Sequence, residues 1–457
     1  MLQTIAAAVA LLAVSPDAAV ALAHRQANYP AAEWGYHFYF TTSAVPEGRR
    51  EDLTKVLNFH CAALSRDPYI ADQLPQAVTL YDKDGNASFY PNVLHIDTRP
   101  MHWEQLGTAL VKHYPYARAQ TAFGIAPLVI RADWFCANIG DSKFTGDSRH
   151  LLLYGKALGN KSDFLKFWKV SGVPTDTFGF LEGNSGVKRV GAGLERNMES
   201  RPAGGRDAAF ETFDSEVVTG AADPLRHPET RPPAHDASEL LAPIVKYGKD
   251  ADGKPLAGVL YATFLAVGNR DQKKTAGAKQ DAAPIGLVED SFNLRGYDIG
   301  DFYDCYSCHE KGLKDPTLDA YRSAIVGGVI IRSLDKQKAL DVERYYESAF
   351  YRDIKRGQED FAAAIKLCNG WEPEENSRQI RETIRAYDAP VQLIDAAREL
   401  YTTPKELSLA LAYYTEKYKS QENVRIAMLA ERQPISRTQF EFDSYLFQEA
   451  LRVWGAK

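Results

Sequence analysis

Cys305-Tyr306-Ser307-Cys308-His309 decides how this chain is read. Two cysteines with two residues between them, followed at once by histidine, have the spacing at which both thiols add across the vinyl groups of one haem. The adjacent imidazole is then held under the iron as axial ligand. A thioredoxin-like redox pair or half of a zinc site shares the Cys-x-x-Cys spacing. The first sits at a strand-to-helix turn of a βαβ unit, which does not surround Cys305. The second needs another cysteine pair, and the remaining cysteines of the five, Cys61, Cys136 and Cys368, are scattered. The motif therefore predicts one covalently attached haem c on Cys305 and Cys308, with His309 as iron ligand.

The sequence on either side sets the domain plan. Before the motif, Gly258 to Val267 (GVLYATFLAV) reads as a strand, and Pro284 to Val288 as its hairpin partner. Residues 182–257 are rich in Gly, Pro, Arg, Asp and Glu and read as a long irregular excursion. A loop of that length ahead of a cofactor motif is a candidate cover for the cofactor. Residues 24–181 read as a mixed α+β domain. It holds an aromatic strand in WGYHFYFTTS, a helix in EGRREDLTKVLNFHCAAL, and a hairpin turning at Asp84-Gly85-Asn86. After the motif, helical spacing recurs in 336–367, 376–387, 391–400, 404–419 and 437–453. The expected architecture is α+β: a mixed N-terminal part, then a c-type haem domain over 258–457 whose helical C-terminal part packs on the haem.

Residues 1–23 read as a cleaved leader. The apolar run Thr4 to Val14 is too short for a membrane span, which needs ~20 residues, and Ala21-Leu22-Ala23 has the small-x-small pattern of a cleavage site. Export to the periplasm or beyond agrees with a haem attached after export. No later apolar run predicts a membrane span. The composition, 45% hydrophobic and 25% charged, is that of a folded globular protein. A net charge of −6 without basic runs argues against nucleic acid as a partner.

The sixth iron ligand is open. Small electron carriers place a methionine a few dozen residues after the motif, but the next one here is the distant Met428. Met198, in LERNMESR of the excursion, leads the candidates, with His227, His235 or an open position as alternatives. His37, His60, His95, His102, His113 and His150 show no metal-ligand spacing and read as packed or surface imidazoles. His24 would head a chain cut after Ala23, but no partner histidine is identifiable for it. Cys61 and Cys136 are the first pair to consider for a disulfide, with buried thiols as the alternative. Nucleotide-binding and serine-hydrolase motifs are lacking.

Beyond the motif, stretches such as LTKVLNFHCAAL (53–64), IRADWFCAN (130–138), NSGVKRVGAGLERNMESR (184–201) and DFYDCYSCHEKGLKDP (301–316) resemble a family of large exported bacterial mono-haem c-type cytochromes. The resemblance spans most of the chain, with only CYSCHEKG specific. It implies haem on Cys305 and Cys308 with His309 axial, and no particular substrate. That family often carries a histidine close to the place of Asn197 or Met198, so this chain departs from the pattern there. One-electron transfer with redox proteins of the cell envelope is the function expected. A peroxidase or oxidase with an open distal site, using Tyr306, Arg196 or Arg201, is the alternative, as is a haem-based ligand sensor.

Overall fold

The computed structural model describes residues 15–65, 67–99, 101, 114–116, 129–139, 161–170, 176–182, 194–202, 208–215, 237–250, 252–267, 310–313, 349–418 and 424–455. The Ser15 hydroxyl accepts a hydrogen bond from the Ala18 N–H, and with Pro16 in the first turn it starts helix α1 (Pro16–Asn28). Strand β1 (His37–Thr41) follows, then helix α2 (Arg50–Leu64) and the hairpin of β2 (Gln76–Tyr81) and β3 (Ala87–Asp97). The hairpin turns where expected: Gly85 takes a positive φ of 82°, and the Asp82 carboxylate accepts the N–H groups of Asp84 and Asn86. Strand β4 (Val129–Arg131) joins β1 in parallel, giving the order β2-β3-β1-β4, and runs directly into helix α3 (Ala132–Asn138). Alternation along β1 sends Tyr39 to one face, among Ala18 and Ala21 of α1. Phe40 goes to the other, against Phe135 of α3 at 4.9 Å between ring centroids.

Helix α4 (Lys161–Phe167) precedes a second sheet of β5 (Asp176–Glu182), β6 (Leu194–Pro202), β7 (Ala208–Ser215), β8 (Ala237–Lys249) and β9 (Pro255–Val267). It is an antiparallel meander, paired in sequence order. Helix α5 (Ala349–Asn369) lies so close to β9 that a Cβ on Gly258 would sit 2.2 Å from the backbone nitrogen of Ala364. The remaining helices are α6 (Pro373–Asp388), α7 (Leu393–Glu399), α8 (Pro404–Lys417), α9 (Val424–Ala430), α10 (Arg437–Phe442) and α11 (Ser444–Gly455). Reciprocal capping boxes, Thr403 with Glu406 and Ser436 with Gln439, start α8 and α10. Leu407, Leu411, Ile426, Leu429, Phe440 and Phe447 are buried among these C-terminal helices.

The mixed α+β class holds, while the expected boundaries do not. The chain divides into unit 1, within Met1–Ser65, Ala71–Ile139 and Gln379–Lys457, and unit 2, within Arg66–Ile70 and Gly140–Arg378. The C-terminal helices thus complete the N-terminal sheet unit and do not extend a haem domain over 258–457. The physical reason is a set of buried polar contacts at very long sequence separation, such as Arg131 with Glu399, which apolar periodicity does not register. The excursion at 182–257 is also corrected, since β6, β7 and β8 fall within it. The polar composition of β6 hides a strand pattern, yet ladder pairing on both sides supports the backbone of β6 and β7, and that of β8 over Ala237–Leu241. The single helix at 437–453 breaks at Asp443, whose carboxylate receives Arg425. Cys61, Cys136 and Cys368 are buried thiols, so the Cys61 to Cys136 disulfide does not form. Ala21-Leu22-Ala23 lie inside α1, with Ala21 fully buried, whereas Thr4 to Val14 fall outside the described residues. The expected strand at 284–288 also falls outside them.

Candidate functional site

Cys305, Cys308, His309 and Tyr306 lie outside the described residues, but the turn that leaves the motif, 310–313, lies within them. This turn is clamped onto α5. Gly312 has a φ of 78°, and a methyl group there would come within 2.8 Å of Phe361 Cγ. The Gln358 side chain donates to the Leu313 carbonyl at 2.6 Å. Leu313 is buried, and a Cβ on Gly357 would meet its Cδ1 at 2.8 Å and the Tyr261 hydroxyl of β9 at 2.6 Å. At the rim, Lys311 pairs with Glu374 at 2.7 Å. Three glycine-sized seats therefore fix the backbone that follows His309 to α5, and α5 to the sheet. The structure thus describes the anchored turn after the motif, while the two thiols and the imidazole that the sequence offers lie outside the described residues.

Met198 stands on β6, with its Cα in register with Phe178 of β5 and Thr212 of β7. Its candidacy as sixth ligand thus concerns a central strand, not a loop. Arg196 and Arg201 share that strand, opposite Asp214 and Ala209. His227 and His235 lie outside the described residues. In the same unit the sheet buries a charge: Lys246 of β8 is fully enclosed and donates to the Asp67 carbonyl at 2.9 Å. Burial pushes its amine down to about 7 and the neighbouring Cys368 thiol up to about 12.

Unit 1 holds a buried polar network that composition alone did not disclose. Arg131, at the end of β4, is paired with Asp133 and with Glu399 of α7, each side chain less than one-tenth exposed. Glu399 also accepts from the Tyr116 hydroxyl at 3.1 Å and from Arg437 Nη1 at 2.9 Å. Arg437 donates through Nε to the Tyr387 carbonyl at 2.7 Å and lies 4.5 Å from the Tyr387 ring centroid. Tyr387 in turn donates to Glu441, whose carboxyl is raised chiefly by burial. Desolvation opposes the charge on Arg131, and the surrounding carboxylates outweigh it, so this guanidinium stays charged. The network forms one wall of a cavity of about 340 Å³.

Two of the histidines read as packed, His37 and His95, meet, and His24, for which the sequence identified no partner histidine, joins them with its ring centroid 5.2 Å from that of His95. His37 Nδ1 and His95 Nε2 are 3.1 Å apart, His24 Nδ1 is 2.9 Å from the Tyr39 hydroxyl, and Tyr29 stacks on His37 at 3.5 Å. Burial lowers all three, and His95, with two neighbouring imidazoles, falls to about 3. His60 in α2 is also buried, and burial lowers it to about 3. His102, His113 and His150 lie outside the described residues. Among the described residues no group of three His, Cys, Asp or Glu side chains is placed to hold a metal ion. Nor, among them, is any helix long and apolar enough to cross a membrane. Comparison with family models, curated proteins and solved structures finds no match.

Proposed function

We propose that this chain is an exported c-type cytochrome passing single electrons between redox proteins of the cell envelope. The observation that carries the reading is Cys305-Tyr306-Ser307-Cys308-His309. When bound, the haem supplies a reversible one-electron change at its iron. The residues of this chain do the rest. Cys305 and Cys308 would hold the group by thioether bonds, and His309 would supply an imidazole nitrogen to its iron. The turn at 310–313, anchored by Gln358 and packed against Phe361, fixes the chain that follows the motif in sequence. Met198, on a strand paired along both edges, would be the candidate for a second protein ligand to that iron.

The test is expression with a haem-maturation system, haem detection after denaturation, and visible spectra of both oxidation states with and without carbon monoxide. Covalent haem lost in Cys305→Ala is expected, together with a low-spin spectrum whose sulfur-to-iron band disappears in Met198→Ala. No covalent haem overturns the reading. A high-spin ferric form whose ferrous state binds carbon monoxide rapidly replaces electron transfer with chemistry or sensing at an open site. The N-terminal mass of the exported chain checks the leader. A chain starting at His24 supports cleavage after Ala23, and one retaining Ala18 and Ala21 in the unit 1 core refutes it.

A further inference from the structure

We propose that the cavity of unit 1 binds a small organic carboxylate with an apolar body. Its volume of about 340 Å³ lies within the usual range for ligand pockets. Its lining combines apolar side chains, among them Val45, Pro46, Leu53 and Val391, with three arginines, Arg49, Arg398 and Arg437. The acids on the lining are already engaged. Both oxygens of Asp133 face Arg131, and its Oδ1 also takes the Trp134 N–H. Glu399 Oε2 takes three donors, from Arg131, Tyr116 and Arg437.

The donors are less spent. Among the described residues, Arg437 Nη2 makes no hydrogen bond, its Nε and Nη1 being the atoms used. Arg398 spends Nη1 on Asp395 at 3.1 Å, and Arg49 comes no closer than 3.7 Å to Glu382. The three lining carboxylates, Asp133, Asp395 and Glu399, serve four guanidiniums, because Asp133 and Glu399 also pair with the buried Arg131, so the cavity is short of both acceptors and negative charge. A ligand that brings two planar acceptor oxygens meets that surplus, and guanidinium groups suit it in geometry. An ammonium would add donors where donors are already in excess. A bare inorganic anion is not the best occupant, because it would leave the apolar lining residues Val45, Leu53 and Val391 without a partner to pack on. Arg437 is held in place by the Tyr387 carbonyl and ring, so binding orders little that is not ordered already.

Isothermal titration of the full chain with phenylacetate, phenethylamine and inorganic phosphate tests this. Saturable binding of phenylacetate at one site is expected, weaker by at least about tenfold in Arg398→Gln. It is abolished in Ala386→Trp, a substitution at an exposed lining position of α6 that blocks the cavity without touching the buried network. Circular dichroism of both variants confirms that they fold. Any of three results overturns the proposal: no saturable heat with phenylacetate up to ~10 mM, a range in which even a weak ligand shows binding; phenethylamine or phosphate binding as tightly; or phenylacetate affinity unchanged in both folded variants.

Discussion

Replacing Lys246 with methionine changes how stability depends on pH, and the sign follows from its surroundings. The amine is fully enclosed between β8 and the Asp67 carbonyl. Its pKa falls to about 7 because burial outweighs the two groups that favour its charge, Cys368 and Asp67. Cys368 is itself pushed up to about 12 and stays a neutral thiol at neutral pH, so it brings no counter-charge there. In the unfolded chain a lysine titrates near ~10.4, so between about pH 7 and that value the unfolded state binds one more proton than the folded one. Stability therefore rises with pH across this window, by about 1.4 kcal/mol per unit, and is lost again as pH falls toward 7. Methionine has no such slope. The advantage of Lys246→Met over the natural chain is largest near pH 7 and shrinks by roughly 3 kcal/mol by about pH 9.5. The assay is urea unfolding of both proteins at a series of pH values, following the transition that the substitution moves. Loss of the bond to Asp67 adds only a pH-independent offset, so the change of the difference with pH is the readout. A difference that stays constant across the window refutes the argument.

Glu399→Gln leaves Arg131 with half its buried compensation and is expected to cost about 3–5 kcal/mol in denaturant unfolding; a loss below about 1 kcal/mol would show the network to be hydrated. Gly258→Ala forces a methyl group against the Ala364 backbone and is expected to cost about 3 kcal/mol, whereas Gly35→Ala, with nothing within 4 Å, changes stability by less than about 0.5 kcal/mol. Equal effects of the two would contradict the close approach of α5 to β9. His95 is held neutral down to about 3 in the folded chain, so the unfolded chain gains a proton first and stability falls as pH drops below the ordinary histidine value of ~6.5. His95→Phe is therefore expected to flatten acid unfolding between about pH 6 and pH 4 by roughly 2 kcal/mol, and an unchanged acid limb would rule this out.

Local signals were legible where one residue type has one physical use. Asp82 to Asn86 could be read as a turn because Asp accepts local N–H groups and Gly takes a positive φ there. Pro404 after Thr403, with Glu406 three residues on, announced α8. The second sheet was illegible over β6 and β7 because ladder bonds, not an apolar stripe, define strands such as LERNMESRP. Lys246 and Glu211, both fully buried, broke the alternation that a strand reading relies on. The cavity was hidden for another reason. Arg131, Glu399 and Arg437 look like ordinary surface charges until the fold brings them together, and no spacing rule links residues so far apart. The buried stretch at Arg131-Ala132-Asp133 was the only local hint, since a salt-bridged pair between strand and helix sits inside an otherwise apolar run.

The interleaving of the two units also sets an order of events during synthesis. Arg131 and its partner Glu399 are 268 residues apart, so at the usual pace of translation the arginine waits roughly 15–50 s before its counter-charge exists. Unit 1 therefore cannot close early. The whole of unit 2, including the turn beyond His309, has been made before the last helices seal the older sheet. A chaperone handling this chain meets an N-terminal stretch, up to Ile139, that stays open until the helices from Gln379 onward have been made.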